Sequence, residues 1–220
     1  MKIDRDSFHQ IVQFEDQDLL VLNKPPGMAV QSKDQEDLCT MAEFYIGAQA
    51  HAIHRIDQPA SGLVLLAKNA ESAAKFGTLL RDKKLDRTYL AIVATPPAEP
   101  QGSLTHYLQK SRSSNRMIAS MDGKGQKAEL NYRQLHSSEH YHLLEVKLST
   151  GRQHQIRAQM SAIGSPIKGD NKYGFKRGNR DRSIHLHSWK IQYTDQTGQV
   201  HAFVAPPPQE VLWDFFAESL

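Results

Sequence analysis

The chain has 220 residues and a mass of 24.8 kDa, and its composition of 39% hydrophobic and 23% charged residues excludes a fibrous, collagen-like or disordered protein. The mean hydropathy of -0.56, with no apolar run near the ~20 residues that a bilayer requires, excludes a membrane-spanning segment. The net charge of +3, from 27 basic and 24 acidic residues, does not by itself identify a binding partner.

The charge is unevenly distributed along the chain. Residues 1–40 hold eight acidic and four basic residues, which leaves 16 acidic and 23 basic residues in the other 180. The segment from Lys168 to Lys190 alone has seven basic and two acidic residues. Such a local positive field suits a polyanion, although a solvated loop is the alternative interpretation of any single charged segment.

The cysteine content and the lack of a signal or linker bear on the location and the domain organisation of the protein. One cysteine, Cys39, forms no internal disulfide, and the first ten residues lack the apolar stretch of a secretory signal, so we expect a cytoplasmic protein. No repeat or long linker divides the chain, since the segment 95–102 is too short for more than a loop. We therefore predict a single domain over residues 1–220.

Five strands are predicted from apolar and β-branched segments. In chain order they cover residues 19–24, 63–68, 88–93, 143–148 and 184–193. The second of these is an unbroken apolar run, which predicts a strand that is buried on both faces.

Two helices are predicted between these strands. Asn69 caps a helix from Ala70 to about Lys83, with an apolar stripe that includes Phe76. A second helix runs from about Arg152 to Ile163 and ends at Gly164. Because strands and helices do not alternate strictly, the pattern favours an α+β fold with a mixed sheet over a doubly wound one.

The segment 51–69 combines a carboxylate, an arginine and a turn signal. If residues 55–57 are extended, Arg55 and Asp57 point to one side, and Pro59 and Gly62 then form a turn. A poorly hydrated carboxylate at a sheet edge can act as a nucleophile. A structural Asp–Arg pair that fixes the loop is the alternative.

The segment 148–174 gathers polar donors at the predicted start of the second helix. These donors are Arg152, His154, Gln155 and Arg157. Free N–H groups at a helix start favour an anion, whereas cations there oppose the helix dipole and require another reason for their position. The pattern indicates a site for phosphate or carboxylate, with a solvated helix face as the alternative.

Other residues carry weaker signals. Tyr89 lies on a predicted strand, where core packing is the ordinary role, although its ring can stack on a nucleobase if it faces Asp57. A metal cluster near His136 lacks a recognised ligand spacing. No phosphate loop or dinucleotide fingerprint is present, and no second carboxylate lies near Asp57 in the sequence.

Several motifs taken together resemble one family. HRIDQPASGLVLLAK resembles the His-Arg-Leu-Asp motif of the RluA family of pseudouridine synthases, and LLVLNKPPGMAVQ resembles the strand and turn before it. DRTYLA, STGRQHQIRAQMSAIGSPIKGDNKYG and HLHSW resemble the later blocks, in family order over residues 19–189. The resemblance implies a single catalytic domain with a mixed, mainly antiparallel central sheet flanked by helices and loops.

The resemblance also implies roles for individual residues. Asp57 is then the nucleophile or its equivalent, Arg55 helps to evict the base, and Tyr89 stacks on it. Arg157 is then the arginine that pairs with Asp57. The residues that we expect to contact RNA are Arg152, His154, Lys24, Arg112, Arg116 and Lys172.

The implied reaction is the isomerisation of a uridine in structured RNA, either tRNA or large-subunit rRNA, by a monomer without a cofactor or metal. The sequence departs from the family pattern at Ile56, Ala60 and Gln31, of which the last two are expected to affect loop order or substrate choice. Many relatives carry a small N-terminal RNA-binding domain, which we do not expect here because only 18 residues precede the first block. RNA affinity is then expected from the catalytic domain itself.

Two other functions remain open from the sequence. An RNA-binding protein with an unused active site would act as an RNA chaperone, but it would be expected to have lost at least one of Asp57, Arg55, Tyr89 and Arg157. A carboxylate-dependent nucleoside hydrolase has no phosphate backbone to bind, so the basic excess argues against it.

Overall fold

The computed structural model describes residues 4–217. In that range the strands are β1 (Val12–Glu15), β2 (Leu19–Lys24), β3 (His51–Ala52), β4 (Ser61–Ala67), β5 (Leu85–Val93), β6 (Gln101–Lys110), β7 (Met117–Ser120), β8 (Gln126–Ser137), β9 (His142–Leu148), β10 (Leu186–Thr194) and β11 (Val200–Val204). The α-helices are α1 (Leu38–Ile46), α2 (Ala70–Arg81), α3 (Gln155–Ala162) and α4 (Val211–Ala217), and short 3-10 helices lie at Phe8–Ile11 and Asn171–Tyr173. None of the described helices is long and apolar enough to cross a membrane.

The chain divides into two compact units, each made of two chain segments. The first unit comprises the residues up to Arg87 together with His187–Pro208. The second comprises Thr88–Leu186 and the chain from Gln209 onward. The strand pairings within them are mainly antiparallel with one parallel pair, so the predicted mixed, mainly antiparallel α+β fold is confirmed.

The first unit is built around β4. This strand lies between β2, which is antiparallel to it from Leu19 opposite Ala67 to Lys24 opposite Gly62, and β10, which is parallel to it. Every residue of β4 is buried, as the unbroken apolar run predicted. The strand begins at Ser61, two residues earlier than expected, which places its first residue directly after the segment that contains Asp57.

Helix α2 packs on this core with the predicted face. The Asn69 side chain accepts a hydrogen bond from the Ser72 N–H at 2.8 Å and caps the helix, and Phe76 is buried against residues of β2 and β4. The helix ends at Arg81, two residues before the predicted end. Lys83 has a φ of 58°, and this left-handed backbone cannot continue an α-helix.

In the second unit the strands lie in the order β5–β9–β8–β6–β7. The β6–β8 and β8–β9 pairs are antiparallel, with a register shift between Gln134 and His136. The predicted strand at 143–148 is confirmed as β9, whereas β6, β7 and β8 are additional strands. Helix α3 packs on β6 and β7, and a small core forms from Leu108, Ala128, Ala158 and Tyr173.

Candidate active site

Asp57 lies in residues 53–60, which join β3 to β4 and which we call the motif loop. Within it His54 and Ile56 are buried, Arg55 is exposed and Asp57 is half-buried, so burial alternates as extended backbone predicts. The Ala60 N–H donates to the Asp57 carbonyl at 3.0 Å and closes a turn over Gln58 and Pro59. This main-chain bond orders the loop at Ala60, one of the positions where the sequence departs from the pattern that the resemblance implies.

Lys24 anchors the motif loop from the end of β2. Its side chain has no exposed surface, and its Nζ donates to the carbonyl oxygens of Pro25 at 2.8 Å, Gln58 at 3.3 Å and Ala60 at 2.7 Å. Burial lowers the pKa of Lys24 from 10.5 to about 7, and the Asp57 carboxylate partly offsets that effect. The prediction that Lys24 contacts RNA is therefore wrong, because its three donors hold loop carbonyls and no part of it reaches the surface.

Gly62 permits two strands to approach closely at the end of the motif loop. Its φ is +109°, and a Cβ atom there would lie 2.3 Å from the Ser188 carbonyl oxygen. The prediction that Gly62 forms part of the turn is wrong, because it lies inside β4. Next to it, Ser61 Oγ is 2.9 Å from His187 Nδ1, and this bond joins the start of β4 to β10.

Two buried histidines flank the same loop in the neutral form. His187 donates from Nε2 to the Ala205 carbonyl at 3.0 Å, so its Nδ1 accepts from Ser61, while His54 Nε2 accepts the Leu65 N–H at 3.2 Å. Burial lowers the pKa of His187 to about 4; burial and, secondarily, the charge of Arg87 lower that of His54 to about 3. Both imidazoles are therefore neutral at physiological pH, which leaves one nitrogen of each ring able to accept its hydrogen bond.

Arg157 lies on α3 in the second unit and forms a buried ion pair. Its Nε donates to one Asp170 carboxylate oxygen at 2.6 Å and its Nη2 to the other at 2.9 Å. Both side chains are at most 4% exposed. This two-pronged geometry fixes the plane of the guanidinium, so Asp170 determines where Arg157 points. Pairing of Arg157 with Asp57 stays a prediction.

The helix that carries Arg157 begins later than predicted. Residue 154 has a φ of 51°, so α3 starts at Gln155 and not near Arg152. The Gln155 amide oxygen accepts from Thr150 Oγ1 at 2.8 Å and from the Arg152 N–H at 3.0 Å, and its Nε2 donates to the Glu129 carbonyl at 3.0 Å. Gln155 therefore organises the loop before the helix, and the predicted helix start near Arg152 is wrong, whereas an anion site formed by these residues stays a prediction.

Tyr173 joins several of the predicted residues. Its hydroxyl accepts the Met117 N–H at 2.7 Å and is 2.8 Å from His154 Nδ1. The guanidinium carbons of Arg157 and Arg116 lie 4.8 Å and 5.3 Å from its ring centre. We call Tyr173, His154, Arg116, Arg157 and Asp170 the Tyr173 cluster.

The other predicted site residues are distributed over the second unit. Tyr89 is buried in β5, whereas Arg112 and Arg116 are exposed in the loop between β6 and β7. Arg152 is exposed, and its Nε donates to the Lys127 carbonyl at 3.1 Å; Lys172 is half-buried. Within residues 4–217 no three His, Cys, Asp or Glu side chains converge to hold a metal ion.

Sequence reasoning missed Asp170 and Tyr173. Both lie in the GDNKYG segment, where a carboxylate and an aromatic residue three positions apart follow Gly169. These two residues are visible in the sequence, but nothing there indicates Arg157 as their partner. Arg157 is 13 residues from Asp170, and the contact depends on tertiary structure.

The mixed α+β fold is that of solved pseudouridine synthases. The structure of "Human RNA Pseudouridylate Synthase Domain Containing 4" matches with a TM-score of 0.78 at 22% identity, over 98% of this chain and 93% of that one. "Human RNA Pseudouridylate Synthase Domain Containing 1" matches with a TM-score of 0.73 at 21% identity, over 90% and 83%.

Sequence comparison identifies the family. The family model for RNA pseudouridylate synthase matches residues 18–162. An uncharacterized RNA pseudouridine synthase of Haemophilus influenzae is 30% identical over 92% of this chain and 89% of its own length. The ribosomal large subunit pseudouridine synthase C of Rickettsia bellii is 34% identical over 73% of this chain and 56% of its own length.

The chain belongs to the RNA pseudouridylate synthase family, and the resemblance to its RluA branch is confirmed. It spans little more than half the length of the Rickettsia relatives that it matches.

Proposed function

We propose that this protein is an RNA pseudouridine synthase that isomerises specific uridines in structured RNA, with Asp57 as the reactive carboxylate. The observation that carries the proposal is that the family match includes a motif loop in which Asp57 retains solvent access while its neighbours His54 and Ile56 are buried. A carboxylate in such a position is reachable by a base that has left its stack, and the rigid loop fixes its direction.

The reaction conserves all atoms of the substrate. The bond between the ribose and the uracil nitrogen breaks, the uracil turns, and a ring carbon forms the new bond to the ribose while its proton is lost and the nitrogen gains one. The Asp57 carboxylate either attacks the sugar or stabilises positive charge that develops on it. Both roles require the ionised form, which has the full negative charge.

Three other residues support this chemistry in the proposal. Arg55 is exposed on the motif loop two residues before Asp57, which suits a side chain that enters the RNA stack and displaces a base. Tyr89 supplies a ring for stacking and a phenolic oxygen for proton transfer. Arg157, whose direction Asp170 fixes, is the proposed ion-pair partner of the reactive carboxylate.

The proposed substrate is tRNA or large-subunit rRNA, bound in the cytoplasm by a monomer. Exposed Arg112, Arg116 and Arg152 offer guanidinium groups to the phosphate backbone, and Lys172 and His154 add polar contacts. The names of the Rickettsia relatives specify the large ribosomal subunit, which supports rRNA as the first substrate to test.

Pseudouridine mapping tests the proposal directly. Total RNA from a strain that lacks the gene, from its parent and from the deletion strain complemented with this chain is mapped by chemical labelling and sequencing. We expect at least one pseudouridine in rRNA or tRNA to disappear in the deletion strain and to return on complementation. Identical maps for the three strains, together with retained RNA binding by the purified protein, would support the RNA-chaperone alternative instead.

A further inference from the structure

Tyr173 has a buried hydroxyl that connects two parts of the second unit. Its side chain is 2% exposed, and the hydroxyl oxygen accepts the N–H of Met117, the first residue of β7, at 2.7 Å. The same oxygen is 2.8 Å from His154 Nδ1. Both contacts are satisfied when the hydroxyl accepts from Met117 and donates to a neutral His154, so one phenol fixes the end of a strand and the residue before α3.

The Tyr173 ring also supports two arginines with different surroundings. Arg157 lies 4.8 Å from the ring centre and is buried in its ion pair with Asp170. Arg116 lies 5.3 Å from the same centre and is exposed. A cation held on an aromatic face loses conformational freedom before it meets a ligand, which lowers the entropy cost of binding.

The charges of the two guanidinium groups have different surroundings. Arg157 is buried in its ion pair with Asp170, whereas Arg116 is exposed and its charge is open to solvent. An exposed, oriented guanidinium of this kind suits an RNA phosphate.

We propose that Tyr173 is a positioning residue that holds Arg116 ready for an RNA phosphate and couples that contact to the orientation of Arg157. This inference rests on the proposed function for its substrate, RNA. The coupling follows from covalent proximity, since Met117, which the hydroxyl holds, is the residue after Arg116. A phosphate held by Arg116 therefore restrains the segment that is hydrogen-bonded to Tyr173 through Met117, and the Tyr173 ring in turn contacts Arg157.

The binding test uses a fluorescein-labelled oligouridine of about 20 nucleotides, titrated over a range of salt concentrations. We expect Arg116→Ala to reduce the slope of log affinity against log salt by about 0.7, the value for one phosphate contact on a single strand. Tyr173→Leu, which removes the ring, is expected to reduce the slope similarly. The two substitutions combined are expected to weaken binding by roughly threefold less than the product of their separate effects, because they remove one shared contact.

Arg112 provides the matched control in the same loop. The effects of Arg112→Ala and Tyr173→Leu on affinity are expected to multiply, as for independent sites. If Arg116→Ala and Tyr173→Leu also multiply, or if Tyr173→Leu leaves the salt slope unchanged, the positioning role is overturned. Circular dichroism and thermal unfolding confirm that each variant is folded at the assay temperature.

The activity test uses Tyr173→Phe, which keeps the ring but loses the hydroxyl. We expect kcat for pseudouridine formation to fall on the order of tenfold with KM changed much less, because displacement of a positioned group reduces the rate more than binding. An unchanged kcat would refute the coupling to Arg157. If the wild-type protein makes no pseudouridine, the proposed function fails, whereas the oligouridine binding test still decides whether Tyr173 positions Arg116.

Discussion

The motif loop and the Tyr173 cluster hold their functional side chains by different means. In the motif loop the backbone is fixed, because Lys24 Nζ donates to the carbonyl oxygens of Gln58 and Ala60. The position of Asp57 is then set by the backbone of the loop. In the Tyr173 cluster side chains are fixed by other side chains, through the bidentate Arg157–Asp170 pair and the Tyr173 ring.

The motif loop depends on local interactions, whereas the Tyr173 cluster depends on long-range ones. The turn at Asp57 forms within four residues and is anchored by the end of one strand, so a short sequence motif is sufficient to indicate it. The Arg157 geometry depends on an acidic residue and an aromatic residue from a different segment, and both are buried with it. We therefore expect substitutions in the cluster to be more destabilising than substitutions of equal size in the loop.

The largest expected effect is on activity, from Asp57→Asn. The amide keeps the shape of the carboxylate but removes the negative charge that either proposed role requires, so turnover should fall to the limit of detection. RNA affinity should hold or rise slightly, because a charge that repels phosphate is removed. A tritium-release assay measures turnover and circular dichroism confirms folding.

Asp86→Asn is the matched control for that substitution. Asp86 is exposed at the beginning of β5 and loses the same charge in the same substitution. Normal turnover by Asp86→Asn, with none by Asp57→Asn, assigns the loss to the position of the charge. A folded Asp57→Asn protein with substantial turnover would remove Asp57 from the mechanism.

The largest expected effect on stability is from Asp170→Asn. The substitution removes the carboxylate charge that faces the buried Arg157 guanidinium, which costs about 3 kcal/mol of the free energy of unfolding. The double variant Arg157→Met with Asp170→Leu removes both charges and should be closer to the wild type in stability. Urea unfolding measures each value, and a single variant as stable as the double one would contradict the importance of the pair.

Lys24→Met tests the corresponding anchor of the motif loop. The substitution loses three hydrogen bonds but also removes the cost of burying an ammonium, so we expect a loss of roughly 1–2 kcal/mol, smaller than for Asp170→Asn. The folded protein holds Lys24 with a lowered pKa of about 7, so above pH 7 the unfolded state binds more protons and wild-type stability rises with pH. Lys24→Met lacks this rise, and the difference between the two proteins should widen from pH 7 to pH 10 in urea unfolding. A constant difference would show that Lys24 stays fully protonated in the fold.

The same contrast explains which features the sequence could predict. Strands β2, β4 and β9 follow from apolar runs and alternation, and Asn69 marks the start of α2 correctly, because all of these depend on neighbours within a few residues. The start of α3 was predicted too early, because the left-handed backbone of His154 interrupts the pattern without a glycine to mark it.

The candidate site was predictable to a similar degree. The resemblance indicates Asp57, Arg55, Tyr89 and Arg157 as catalytic residues, and these assignments stay predictions. Residue type alone assigned Lys24 to RNA, whereas its burial gives it a structural role. Asp170 and Tyr173 could not be predicted as partners of Arg157, because a buried ion pair and a cation–ring contact are consequences of tertiary packing.

The last prediction concerns pH and His187, a buried neutral histidine near the start of β10. His187 has its pKa lowered by burial to about 4, whereas an unfolded histidine titrates near 6.5. Between these values the unfolded state binds a proton that the folded state does not, so the free energy of unfolding falls as the pH falls, by on the order of 1.4 kcal/mol per pH unit. His187→Gln retains a donor for the Ala205 carbonyl but cannot titrate, so its stability should fall less steeply from pH 6.5 to pH 4. His54 contributes in the same direction in both proteins, which makes the difference between the two slopes, and not either slope alone, the measured quantity. Urea unfolding at half-unit pH intervals gives both curves, and parallel curves would show that folding does not lower the pKa of His187.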